Sequence, residues 1–304
     1  MKRLRLLASH LKIRSQAGYN HLAHMLIVLA LLSIVGGAGA TVYNKNKEAQ
    51  GTAGQSPATE TSQSESTETT ADKVQAVSWV FDEGSGLWKS QGGTPPACNQ
   101  PLLKISPVDM SHVTSILYPG QYRGGNYKAH GGMRFDKNSN TRETVKLPLD
   151  ATLVSGARYN ESGEIQYLLD FVNDCGIAFR FDHLAVLSPA FAKLADNNLP
   201  PPMPDDSRGT NFPAGLTFKA GDVLATAIGH GQPKLNVGLD FGVYDYRQPN
   251  AASKDPNFKP AGTSANMANF GICWLDQLPA AASNKALSLP AGDQQNGKTS
   301  DYCK

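Results

Sequence analysis

The sequence predicts a mainly β chain: an antiparallel β-sheet or sandwich, preceded by one N-terminal transmembrane helix and a disordered linker. Three observations carry this. Between residues 145 and 181 apolar side chains recur at every second position, and Asn, Asp and Gly separate the runs; that is the pattern of antiparallel hairpins with one buried face. Residues 22–43 contain no Asp, Glu, Lys or Arg, and about 20 apolar residues cross a bilayer as a helix. Residues 44–73 are dominated by Thr, Ser, Glu, Gln, Gly and Ala, too little apolar surface to form a core.

The chain has 304 residues, with 28 Lys and Arg against 26 Asp and Glu. That near balance gives no case for nucleic acid. Residues 1–21 hold Lys2, Arg3, Arg5, Lys12 and Arg14 and no acid. Basic residues ahead of the span place this segment in the cytoplasm and the remainder outside. The expected localisation is a single-pass protein of the cell membrane, with residues 22–43 as an uncleaved signal anchor. Ala38-Gly39-Ala40 supports a cleaved signal peptide as the rival. Residues 44–73 then form the tether, 74–250 an extracytoplasmic β domain, and 251–304 a C-terminal extension.

Within the β domain, Val77, Trp79 and Phe81 alternate as a short strand, and Asp82 to Gly86 form a turn. Trp79 and Trp88 read as packing residues. A second strand runs from Val113 to Leu117. His112, just ahead of it, has no partner at metal-ligand spacing. The loop from Tyr118 to Gly125 carries Tyr122 and Arg123, with Tyr127 beyond; on sequence alone it reads equally as a plain surface loop. Val145 to Leu149, continued by Ala151 to Ser155, then Ile165 to Phe171 and Ile177 to Phe181, form the hairpins. Ser188-Pro189 opens a short helix as N-cap and first-turn proline. The proline-rich run at 199–204 is an extended connector. His230, between glycines, reads as an exposed turn residue.

Four cysteines, at 98, 175, 273 and 303, form an even set. Outside the cytoplasm thiols oxidise, so two disulfides are expected, and the sequence allows three pairings. Pairing Cys273 with Cys303 would close the tail on itself and leave Cys98 for Cys175.

His130-Gly-Gly-Met-Arg134-Phe, the following strand pair, and Phe181-Asp-His183-Leu resemble the core of lysostaphin/LytM-type zinc endopeptidases. Leu216 to Ala225 and Gly238-Leu-Asp240-Phe-Gly-Val-Tyr244 continue the resemblance, which covers about 118–246. It implies a duplicated β fold, a bacterial envelope setting with peptidoglycan as substrate, and a loop at Tyr118 to Gly125 bordering the substrate groove, which makes Tyr122, Arg123, Tyr127 and Arg134 candidate ligand contacts. It also implies that zinc is held by the residues matching 130, 134 and 240, with His183 assisting catalysis. The chain departs from that pattern. His130 keeps a ligand position and Asp240 supplies a possible second. Arg134 and Gly238 stand at lost positions, and arginine has no lone pair to offer a metal.

Two readings follow. In the first, the domain is a pseudo-metallopeptidase with no cofactor that binds peptidoglycan or an envelope protein, and regulates a hydrolase. Arg134 would then take the place of the metal charge and pair with Asp240. In the alternative, it is an active zinc metalloendopeptidase with an altered ligand set, and His183 is catalytic. A rebuilt site of His130, Asp136, His183 and Asp240 is the further variant.

Overall fold

The computed structural model describes residues 76–136, 142–204, 206–229, 237–260 and 265–303. A hairpin of β1 (Ser78–Asp82) and β2 (Leu87–Gln91) comes first, then β3 (Ser115–Leu117), β4 (Gln121–Arg123), β5 (Asn126–Lys128) and β6 (Gly131–Arg134). Next are β7 (Val145–Lys146), β8 (Ala151–Glu161), β9 (Glu164–Val172), β10 (Ile177–Leu187) and helix α1 (Pro189–Asn198). The short strands β11 (Met203–Pro204), β12 (Thr210–Asn211) and β13 (Thr217–Phe218) lead to β14 (Val223–Ile228) and β15 (Gly238–Asp245). Helices α2 (Ala265–Ala268) and α3 (Ala280–Ser288) follow.

Strands β8, β9, β10, β15, β6 and β3 lie side by side, each antiparallel to the next. The two longest, β8 and β10, have 11 residues each and change partners along their length. β10 pairs with β15 as far as Asp182, and with β14 from Leu184 onward. β14 in turn pairs with β7. The sheet therefore doubles back, and both layers feed one core.

Alternation explains which face is buried. Phe171, Phe179, Phe181, Leu239, Phe241 and Met133 are each at most 1% exposed. The Phe181 and Phe241 rings stack across β10 and β15 at 5.0 Å, and Phe171 stacks on Phe179 at 5.2 Å. The intervening positions, among them Asp170, Arg180, Asp182 and Asp240, point to the other face.

Two glycines let the strands close up there. A Cβ at Gly131 would lie 2.3 Å from the Leu117 carbonyl oxygen, and one at Gly132 would lie 2.7 Å from that of Leu239 and 3.0 Å from Asp240 Oδ1. The His-Gly-Gly sequence is thus required by close backbone approach.

Both chain extensions pack onto this frame. Trp88 stacks on Tyr246 at 3.7 Å, and the Trp79 indole donates to the Asp174 carbonyl at 3.2 Å. The tail lays Pro290 to Gly292 along β3: Ile116 N–H donates to Pro290 O at 3.0 Å and Gly292 N–H to Ile116 O at 2.7 Å. Disulfides join Cys98 to Cys175 and Cys273 to Cys303. This is the pairing that closes the tail on itself.

The predicted fold class needs correction. The described residues are mixed α/β, with helices α1, α2 and α3 added to the strands. In α1, Pro189 presets the first turn, and Phe191 and Ala195, four apart, form its buried stripe. Among the described residues no helix is long and apolar enough to cross a membrane; the longest, α1, has 10 residues. The single-pass topology, the membrane attachment and the cell-membrane localisation therefore find no support among the described residues and are not carried forward. The peptidoglycan or envelope partner that goes with that anchor is not carried forward. Segments 1–21, 22–43 and 44–73, and His230, lie outside the described residues.

Candidate functional site

The outward face of the sheet carries a seam of charged and polar side chains across five neighbouring elements. His130 precedes β6, Asp240 lies on β15, Asp182 and His183 on β10, Gln166 on β9 and Tyr159 on β8. Register brings them together: Asp182 is opposite Asp240, and Tyr159 is opposite Gln166.

His183 is the centre of the seam. The β9–β10 register shifts between Phe181 and Leu184, and His183 takes a φ of +64°. A left-handed backbone costs an L-residue roughly 1–2 kcal/mol, so this position is held by its surroundings. Its own N–H donates to Asp182 Oδ1 at 2.8 Å. Its Nδ1 meets Gln166 Oε1 at 2.7 Å, and its Nε2 stands 3.7 Å from Asp240 Oδ2. Glu161 Oε2 is 3.5 Å from Nδ1. Because the Gln166 oxygen is an acceptor, Nδ1 carries a proton.

Electrostatics favour the charged form of His183. Burial works against the imidazolium, but Asp182, Asp240 and Glu161 outweigh it and raise the pKa above the ordinary histidine value. Asp240 shows the converse. Burial works upward on its pKa, and the positive charges of His130, His183 and Arg123 overcome it, holding the carboxyl well below its ordinary range. Tyr159 donates to Asp182 Oδ1 at 2.5 Å, and burial followed by the Asp182 charge raises its pKa, so it remains a phenol.

His130 completes the cluster. Its Nε2 is 2.9 Å from Asp240 Oδ2, yet the ring nitrogen has no aligned hydrogen-bond acceptor, so this is a charge contact rather than a formed hydrogen bond. Arg123 supports the residue from behind, donating to the backbone oxygens of His130 at 3.0 Å and Tyr118 at 2.6 Å. Further along the same face, Arg180 forms a two-point pair with Asp170 at 2.7 and 3.0 Å, and Ser155 donates to Asp170 Oδ2 at 2.7 Å.

The predicted site residues scatter. His130, His183 and Asp240 do converge. Arg134 does not join them: its guanidinium pairs with Asp136, Nη2 to Oδ1 at 3.2 Å, and its Cγ would touch a Cβ placed on Gly292 at 3.1 Å. The expected Arg134–Asp240 pair is therefore absent, and Asp136 is drawn away from the cluster with it. The reason is register. Arg134 is opposite Gly238, while Asp240 is opposite Gly132, one side-chain repeat further along the strand. Of the other candidate contacts, Tyr127 is buried with its hydroxyl donating to Asp301 at 2.9 Å, and Arg123 is spent on backbone oxygens. Tyr122 is 55% exposed.

The zinc expectation is also corrected. Among the described residues no group of three His, Cys, Asp or Glu side chains is arranged to hold a metal ion. Arg134 and Gly238 supply no donor where the resemblance requires one, and Asp240 already meets two histidines. The active zinc metallopeptidase is not retained.

Sequence reasoning missed Tyr159, Glu161, Gln166 and the Asp170–Arg180 pair. The signal was the same alternation that located the core, counted on the other parity: 166 and 170 on β9, and 180 and 182 on β10. No family model, curated protein or solved structure matches the chain.

Proposed function

We propose that the described domain is a binding module, not an enzyme and without a cofactor, that seats an extended polypeptide across the charged face and releases it unchanged. One observation carries this reading: His183 is held in a left-handed conformation at the centre of the seam, between three carboxylates that favour its protonated form. A protonated imidazole is a hydrogen-bond donor rather than a general base. Asp240 and Asp182 beside it offer acceptors. A polypeptide backbone presents carbonyl and N–H groups in alternation, and a row of fixed donors and acceptors on adjacent strands suits it.

The test exposes the full chain and its His183→Gln variant to an arrayed library of synthetic peptides. The expected result is retention of a subset of peptides, weakened about tenfold or more by His183→Gln, with every eluted peptide at its original mass. Retention indifferent to the substitution overturns the reading. So do shortened peptides whose appearance requires His183.

A further inference from the structure

A cavity lies away from the charged seam and shares no residue with it. It has a volume of about 400 Å³ and sits where the lead-in segment, the loop before β8 and the β9–β10 turn meet. That size falls within the range of small-molecule sites, roughly 300–1,000 Å³. Leu102, Leu149, Ile177 and Phe218 make its apolar wall, and Lys104, Lys219, Asp150 and Asp174 bring charge to it.

Its walls are fixed before any ligand arrives. The Cys98–Cys175 disulfide lines it and ties the lead-in segment to the β9–β10 turn. Asn173 locks that turn to the loop before β8: its amide nitrogen donates to the Asp150 carbonyl, and its Oδ1 accepts the Cys175 N–H at 2.8 Å. A preorganised wall loses little freedom on binding.

The charges are unevenly matched. Lys104 Nζ lies 3.4 Å from Asp150 Oδ1 and Lys219 Nζ 3.3 Å from Asp150 Oδ2, so two ammonium groups share one carboxylate. That carboxylate already accepts the Ala220 N–H at 2.9 Å. The Ala220 hydrogen bond, with the two lysines, keeps Asp150 ionised below its ordinary range. One positive charge is left in excess at this end. Asp174 supplies one negative charge to the same cavity.

From the paired excess charges and the apolar wall, we propose that this cavity binds a zwitterionic, apolar α-amino acid or dipeptide. The carboxylate sits at Lys104 and Lys219, the ammonium at Asp174, and the side chain against Leu102 and Phe218. An anion alone leaves Asp174 unanswered, and a cation alone leaves the one excess charge of the lysine pair unanswered.

Calorimetric titration of the full chain with three probes tests this: phenylalanine, 3-phenylpropionate and 2-phenylethylamine. Phenylalanine is expected to bind most tightly. The paired change Lys104→Met and Lys219→Met should weaken it about tenfold or more, and Asp174→Asn should weaken it without affecting 3-phenylpropionate in the same direction. Circular dichroism of both variants should match the parent, since all three side chains are exposed. No heat with phenylalanine at millimolar concentration overturns the proposal. Equal binding of all three probes, or phenylalanine binding unchanged in both variants, does the same.

Discussion

The two faces of one sheet teach different lessons. Phe179 and Phe181 point inward from β10, while Arg180 and Asp182 point outward from the same strand. The inward residues are interchangeable in kind: each contributes area, and their rings pack wherever alternation sends them. The outward residues are specific in identity, because each charge is answered by a particular neighbour. Asp170 answers Arg180, and Asp240 answers His130 and His183. The inner face makes the fold, and the outer face matches charge to charge at a stability cost visible in the His183 backbone.

The comparison breaks most visibly on the inner face. Phe181→Ala should destabilise the domain by about 3–5 kcal/mol, because the cavity it leaves is lined by Phe171, Phe179 and Phe241. Chemical denaturation of the single variant measures this. Phe181→Leu should lose much less.

The outer face should respond differently. Arg180 and Asp170 are 18% and 14% exposed at the side chain, and Asp170 raises the Arg180 pKa against the opposing effect of burial. Asp170→Ala strands the guanidinium and should cost about 3 kcal/mol or more. Adding Arg180→Met should recover most of that loss, because the pair as a whole is worth little against its desolvation. A double-mutant cycle showing simple additivity would refute the coupling.

The tail sharpens the contrast. Gln121 donates to Gly297 O at 3.1 Å and to Thr299 O, and Arg123 donates to Gln121 Oε1 at 3.1 Å and to His130 O. The last residues are thus linked through two side chains to the cluster. The Cys273–Cys303 bond, spanning 30 residues, holds them there. Cys303→Ser should cost about 3.5 kcal/mol by loop-closure entropy, and the amide signals of residues 130 to 134 should shift. An unchanged His130 environment would separate the tail from the site.

A smaller effect is expected from pH. The folded pKa of His183 is raised, so its stabilising contribution is complete below the unfolded value, about 6.5, and is lost as pH rises through the folded value. The folded pKa of Asp240 is lowered, so its contribution is present above the unfolded value, about 3.9, and is lost as pH falls through the folded value. The contribution of this pair to stability should therefore be fullest between those two unfolded values. Asp240→Asn should flatten both limbs in denaturation curves collected across pH.

Much of the fold was legible because alternation and turn residues are local. Ile165 to Phe171 and Ile177 to Phe181 gave the strands at the centre of the sheet, and Ser188-Pro189 gave the start of α1. The end of β10 was not legible: it continues six residues past Phe181 to Leu187 because β14 receives it as a new partner, and a change of partner is a tertiary event. In the site, His130, His183 and Asp240 were found, but Arg134 was misplaced. Nothing local shows that its side chain turns toward Asp136 and the tail at Gly292, over 150 residues away in sequence. Gln166 lies on the outward parity of β9, but a neutral amide there does not stand out as a site residue. Its role appears only when β9 is laid against β10.

The most direct test of the charged face is an NMR titration of the His183 ring in the full chain and in Asp240→Asn. The account predicts a pKa above the ordinary histidine value in the parent chain and a lower one in the variant. A parent value at or below the ordinary one, or a value indifferent to Asp240, contradicts it.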